Sequence, residues 1–307
     1  MTKHPLIIST DPGIDDAVAI MLALSAPEID VKMIVPTWGN VSLEKTLNNT
    51  LKLLKFAGKK VPVVAGAKVP LMREVIDASD VHGKSGMDGY DFGEIDPSPL
   101  VSGLASEKIH EIVNNSAEPV ELMQIGPATD FALYFRQYPD DLPKIKQLVI
   151  MGGAIGGGNW GPYAEYNVAG DPEASKIVFN SGVKIIVAPL EMGHQAYLLP
   201  EEVEKISGLS RTGQMLHDLL VNLHDVNESD GLEIYDALAL GMLIDPSMFT
   251  FKPAYVGIDT NETGFTYGAS AMDFSGFFGK KPNAEIGVKI DRDRFSNWLL
   301  KRISEAD

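Results

Sequence analysis

Short apolar runs of β character alternate with segments of helical period from residue 6 to residue 187. The apolar runs lie at residues 6–9, 31–35, 61–65, 120–124, 148–151 and 184–187, with helix-period segments at 15–24, 43–57, 129–138 and 172–179. Strands this uniformly apolar need cover on both faces, and a helix between successive strands makes them parallel. The pattern therefore predicts an α/β fold with a mainly parallel sheet and helices on both sides. Two stretches interrupt the rhythm: residues 66–99, rich in Gly, Asp and Pro, and residues 152–170, rich in Gly. Long connections of this kind inside a compact fold usually border a functional site. Further on, residues 200–227 read as helical, 235–244 as a buried helix, 255–290 as strands with turns at 260–264 and 280–283, and 292–303 as a closing helix. No repeat, low-complexity tract or composition break divides the chain, so a single domain over residues 1–307 is expected.

The first strand ends in Asp11-Pro12-Gly13-Ile14-Asp15-Asp16, and a helical stretch begins at once. One aspartate there could be an N-cap, and acidic residues in a first turn suit the positive end of the helix dipole. Capping alone accounts for Asp11 or Asp15, but not for the whole run. Pro12 and Gly13 set a sharp turn directly after a buried strand, where open α/β sheets place their ligands. Asp236, in Ile234-Tyr235-Asp236-Ala237-Leu238-Ala239, is expected to join the cluster. Carboxylates packed so closely repel one another and protonate at neutral pH unless a cation sits among them. Hard oxygen donors of this type suit calcium or magnesium.

The net charge of −16 argues against a general affinity for nucleic acid, whose phosphates need a Lys/Arg-rich face. With no cysteine the chain has no disulfide framework, thiol nucleophile or thiolate zinc site. Met1-Thr2-Lys3-His4 leads straight into the first strand, and no apolar run approaches the roughly 20 residues that span a bilayer. A cytoplasmic protein with a small neutral or cationic ligand is expected, with no membrane partner.

A second polar constellation lies in Tyr163-Ala164-Glu165-Tyr166-Asn167-Val168-Ala169-Gly170-Asp171-Pro172. In an extended segment Glu165 and Asn167 would point the same way, with Asn159 just upstream. Asn offers both a donor and an acceptor, which suits a sugar hydroxyl, and Glu accepts from one. Turn chemistry explains such residues equally well, and Asp171 before Pro172 reads as an N-cap. Trp38-Gly39-Asn40 is a further polar group at a strand end. Of the histidines, His110 and His217 lie on helical segments and His4 at the terminus, while His82, in the long Gly-rich stretch, is best placed to touch a ligand.

Taken together, Asp11-Pro12-Gly13-Ile14-Asp15-Asp16, Trp38-Gly39-Asn40, Val81-His82-Gly83, Met151-Gly152-Gly153, Ala164-Glu165-Tyr166-Asn167 and Tyr235-Asp236-Ala237-Leu238-Ala239 resemble the inosine-uridine nucleoside hydrolases, in the family's order and across essentially the whole chain. The resemblance implies a Rossmann-like sheet and a calcium-dependent hydrolysis of ribonucleosides to base and ribose, the family often forming homotetramers, so that a dimer or tetramer is expected. By similarity, Asp11, Asp16, Asp236 and the backbone carbonyl of Ile125 would hold calcium, with a calcium-bound water as nucleophile and Asp11 as its base. Asp15 and Asn40 would hold the ribose 2′- and 3′-hydroxyls with help from Asn167, while Met151, Asn159 and Glu165 would surround the 5′-hydroxyl.

The chain departs from the family at Tyr235, where many broad-specificity members carry His and purine-specific ones Trp. A phenol, with a pKa of roughly 10, stays protonated at pH 7 and can donate a hydrogen bond, and its ring can stack on a base. Tyr235 is accordingly expected to contact the base and assist its departure, with His82 or His224 as the alternative proton source. Two other functions share this polar equipment: a non-catalytic calcium-dependent ribose or nucleoside sensor, and a magnesium phosphohydrolase. Against the second, no Gly-rich, Lys-terminated phosphate loop is present.

Overall fold

The computed structural model describes residues 3–223 and 231–307. Its elements run β1 (His4–Thr10), α1 (Ile14–Ser25), β2 (Ile29–Pro36), α2 (Leu43–Ala57), β3 (Val63–Val64), α3 (Ser79–His82), β4 (Leu100–Val101), α4 (Ala105–Asn115), β5 (Val120–Gln124) and α5 (Thr129–Gln137). After these come β6 (Ile145–Met151), α6 (Tyr166–Gly170), α7 (Pro172–Phe179), β7 (Ile185–Ala188), α8 (Leu190–Gln195), α9 (Pro200–Ile206), α10 (Arg211–Leu220), α11 (Asp236–Ile244), β8 (Phe249–Ile258), β9 (Ser270–Asp273), β10 (Ala284–Ile290) and α12 (Arg292–Ser304).

The strands form one ten-stranded sheet in the order β4-β3-β2-β1-β5-β6-β7-β10-β8-β9. Pairing is parallel from β4 through β7 to β10, and antiparallel only where β8 meets β10 and β9. The expected α/β sheet is therefore present. Because β2 lies on one side of β1 and β5 on the other, the chain reverses its direction of travel across the sheet there. The crevice outside the carboxyl ends of β1 and β5 is the place where such sheets bind ligands.

Side chains on β1 alternate between two cores. Leu6 and Ile8 join the core made with α1, α10, α11 and α12, whereas Ile7 joins the one made with α4, α5 and α7. Helix α11 is buried from Asp236 to Leu243, as a helix apolar on all sides must be. It packs against α1, so the helices that begin at Ile14 and Asp236 run together beneath the same end of the sheet.

Several boundaries differ from expectation. β3 is confined to Val63–Val64, and β4 is an unexpected two-residue edge. The final strands begin at Phe249, earlier than residue 255. The helical stretch from 200 divides into α9 and α10, and residues 224–227 fall outside the described ones. No helix among the described residues is long and apolar enough to cross a membrane.

Candidate functional site

The acidic run sits at the topological switch point. Helix α1 starts on Gly13, whose N–H donates to Asp16 Oδ2 at 2.9 Å, so one carboxylate both closes the turn and faces the site. Asp16 is held further by the Thr10 hydroxyl on Oδ1 and by Asn40 Nδ2 at 3.1 Å on Oδ2. Asn40 also donates its backbone N–H to Asp11 Oδ2 at 2.7 Å and its side-chain N–H to the Asp11 carbonyl at 3.1 Å. The strand-end Asn thus braces two aspartates.

One carboxylate oxygen from each of Asp15, Asp16 and Asp236 lies within 4.8 Å of the others. The structure brings Asp15 into this group, whereas Asp11 stands beside it. Asp11 Oδ1 is buried and has no hydrogen-bond partner among the described residues. Burial first, then the charges of Asp16 and Asp15, pushes the Asp11 carboxyl well above the ordinary range. Burial and Asp15 push Asp16 up to about 6. Asp236 is raised well above its usual value by burial and by Asp15, Asp16 and Asp11 in that order. Such a set fits a hard cation: every donor is oxygen, the groups destabilise one another as anions, and no lysine or arginine among the described residues lines the pocket above them.

That pocket has a volume of about 570 Å³. Asp15, Asn40, Ile125, Asp236 and Asn167 form its floor, and Met151, Asn159, Glu165, His82 and Tyr235 line the remainder. Asn167 Nδ2 reaches the carbonyls of Met151 at 3.2 Å and Ile125 at 3.4 Å, which places the Ile125 carbonyl at the floor. His82 closes one side, its Nδ1 accepting from Ile14 N at 3.3 Å and lying 4.0 Å from Asp15 Oδ1. His224 lies outside the described residues.

The expectation that Glu165 and Asn167 share an extended segment fails. Glu165 is the N-cap of α6, and its carboxylate accepts from Asn167 N at 2.8 Å, Val168 N at 3.2 Å and Gly153 N at 2.8 Å. Burial pushes it up to about 7 despite these three donors. Asp171 is the N-cap anticipated, accepting from Ala174 N at 3.0 Å.

Sequence reasoning gave no role to Trp160, Tyr166, Leu190 or His194, all of which line the pocket. Trp160 meets the Tyr166 ring edge-on, with centroids 5.5 Å apart, and the Tyr166 hydroxyl donates to the Gly39 carbonyl at 2.8 Å. Tyr235, expected to contact the base and assist its departure, lines the pocket and donates its hydroxyl to Glu233.

Gly126 follows the floor carbonyl and allows the close approach of β1. A Cβ there would stand 2.4 Å from Asp11 Oδ1 and 3.0 Å from Asp11 N. Gly126→Ala is therefore expected to displace the Asp11 carboxylate and weaken binding of a divalent cation about tenfold or more, with the fold retained. Parent-like cation affinity by calorimetry, beside an unchanged circular dichroism spectrum, would show that Asp11 Oδ1 need not occupy this position.

Comparison with known proteins agrees with this geometry. The family model described as "Inosine-uridine preferring nucleoside hydrolase" matches residues 6–297. The chain is 42% identical over 305 residues to the non-specific ribonucleoside hydrolase RihC of Shigella boydii, covering 99% of each protein. Among solved structures, the plant nucleoside hydrolase PpNRh1 superposes with a TM-score of 0.91 at 29% identity, over 98% of this chain and 99% of that one. A purine-preferring ribonucleoside hydrolase from Gardnerella vaginalis also gives a TM-score of 0.91, at 26% identity over 98% of both chains. The acidic floor at the switch point, the pocket above it and these full-length matches lead to one assignment: the chain belongs to the inosine-uridine preferring nucleoside hydrolase family.

Proposed function

We propose that this nucleoside hydrolase cleaves the N-glycosidic bond of ribonucleosides, inosine and uridine among them, to free base and ribose in a calcium-dependent reaction. The observation that carries the reading is the convergence of Asp15, Asp16 and Asp236 beside the unpartnered Oδ1 of Asp11, on the floor of a pocket large enough for a nucleoside. Breaking an N-ribosidic bond builds positive charge on the sugar, and carboxylates beneath it stabilise that charge. Asp11 Oδ1 is the acceptor for the proton of the attacking water. Asp15, Asn40 and Asn167 take the 2′- and 3′-hydroxyls, and Met151, Asn159 and Glu165 surround the 5′-hydroxyl.

Asp11, Asp16, Asp236 and the Ile125 carbonyl would hold the ion, and calcium there supplies a Lewis acid that orients water and makes it more acidic. The all-oxygen donor set supports calcium over softer metals. A homo-oligomer, dimer or tetramer, forms part of the same reading, supported by Phe265, Phe277 and Phe278, which stand exposed on the loops flanking β9. Nucleosides from RNA turnover arise inside cells, which supports a cytoplasmic enzyme of ribonucleoside catabolism.

Incubation with inosine, uridine, cytidine and adenosine in the presence of calcium, with free ribose measured, tests the proposal. Ribose release is expected from inosine and uridine. Saturable binding with no ribose from any of the four would make the protein a calcium-dependent nucleoside sensor instead.

A further inference from the structure

His194 and Glu233 join the site from elements that the reaction above leaves without a role. His194 lies in the last turn of α8 and lines the pocket, its side chain 43% exposed. Glu233 lies in the segment before α11 and is only 2% exposed. Both oxygens of its carboxylate are 2.9 Å from His194 Nδ1, and one of them also accepts from the Tyr235 hydroxyl. The Tyr235 ring is kept in place by packing on α8, where a Cβ on Gly193 would come within 2.1 Å of Tyr235 Cε1. It meets the His194 ring nearly perpendicularly, with centroids 6.4 Å apart.

An ionised carboxylate only accepts hydrogen bonds, so both of these neighbours must donate to it. The phenolic proton of Tyr235 is thereby committed to Glu233, and the Tyr235 oxygen can offer the pocket only lone pairs. Nδ1 of His194 likewise carries its proton toward Glu233, which leaves Nε2 as the ring atom that can exchange a proton with a ligand. A nucleophile or acid oriented by a second, buried group is the recurring arrangement of catalytic histidines.

Resting on the hydrolase reading above, we infer that His194 is the general acid for the departing base, with Glu233 as its positioning residue and Tyr235 as a wall of the base site. As the C1′–N bond breaks, its electron pair goes to the base, which takes the proton from Nε2 of the imidazolium. The imidazole is left neutral with Nδ1–H on Glu233. Water adds at C1′ and its proton passes to Asp11. Proton exchange with solvent restores both groups, and the sum is nucleoside plus water giving base plus ribose.

The test compares inosine and uridine with p-nitrophenyl riboside, whose leaving group departs without protonation. It uses the full-length enzyme with calcium. His194→Gln is expected to lower kcat by about 10²-fold or more on the two nucleosides, the usual contribution of a general acid, and to leave p-nitrophenyl riboside within about threefold of parent. Glu233→Gln, which keeps an acceptor but loses the charge that supports imidazolium, should give the same selective pattern to a smaller degree. Tyr235→Phe should change all three substrates alike. Retained cleavage of p-nitrophenyl riboside also proves that each variant folds. Equal losses on all substrates with His194→Gln, or none, would overturn the inference, as would a selective loss confined to Tyr235→Phe. A parent enzyme that frees ribose from none of the three would instead bring down the hydrolase reading itself.

Discussion

Asp11→Ala is expected to abolish ribose release, by about 10³-fold or more, in a protein that keeps its fold. The side chain combines two demands that no neighbour can meet. Its Oδ2 receives the Asn40 backbone N–H at 2.7 Å, while its Oδ1 stays buried with no hydrogen-bond partner among the described residues. On the proposed reading, removing it deletes the base and an anion from the cation site together. Because Asp16 and Asp15 already oppose ionisation of Asp11, the metal-free variant is also relieved of repulsion. Added calcium should therefore raise the unfolding temperature of the parent, by about 2.7 kcal/mol of stabilisation at a hundredfold excess over Kd, and that of the variant by much less. Thermal melts with calcium and with chelator, beside a ribose assay, read both effects. Near-parent turnover in the variant would remove Asp11 from the mechanism.

The second large effect concerns the sugar. Deoxyuridine is expected to show kcat/KM about 10³-fold or more below that of uridine, since a site built to hydrogen-bond a hydroxyl rejects the analogue that lacks it. Asp15, Asn40 and Asn167 line the pocket, and on the proposed reading they are the partners of the 2′- and 3′-hydroxyls. The comparison is demanding, because a 2-deoxy sugar is intrinsically easier to cleave, and only lost recognition can make it the poorer substrate. Comparable values for the two nucleosides would refute ribose recognition at the floor. Nucleoside 5′-monophosphates should react poorly as well, because among the described residues no lysine or arginine lines the pocket to receive a phosphate.

Local chemistry made part of this molecule legible from its residues. Buried parallel strands announce themselves as apolar runs, and here a Pro-Gly turn between an apolar run and a helix-period segment carries three aspartates, so most of the sheet and its acidic cluster could be read directly. Elements without a full period left no such trace. β3 and β4 have two residues each, and α8 has six, too few for a helical pattern to emerge around Gly193. Glu165 misled for another reason: its alternation with Asn167 is real, but its carboxylate caps a helix instead of pointing along a strand. His194 looked ordinary because its meaning depends on Glu233, 39 residues away, and only folding brings that pair together.

The two halves of the pocket have separate origins. The floor comes from the carboxyl ends of β1, β2 and β5 and the starts of α1, α6 and α11, whereas His82 and His194 reach the cavity from α3 and α8. Mutational drift can therefore act on them independently. A lineage could exchange His82 or His194 while the acidic floor stays in place. New base preferences then arise through many viable intermediates, none of which has to rebuild the machinery that breaks the bond.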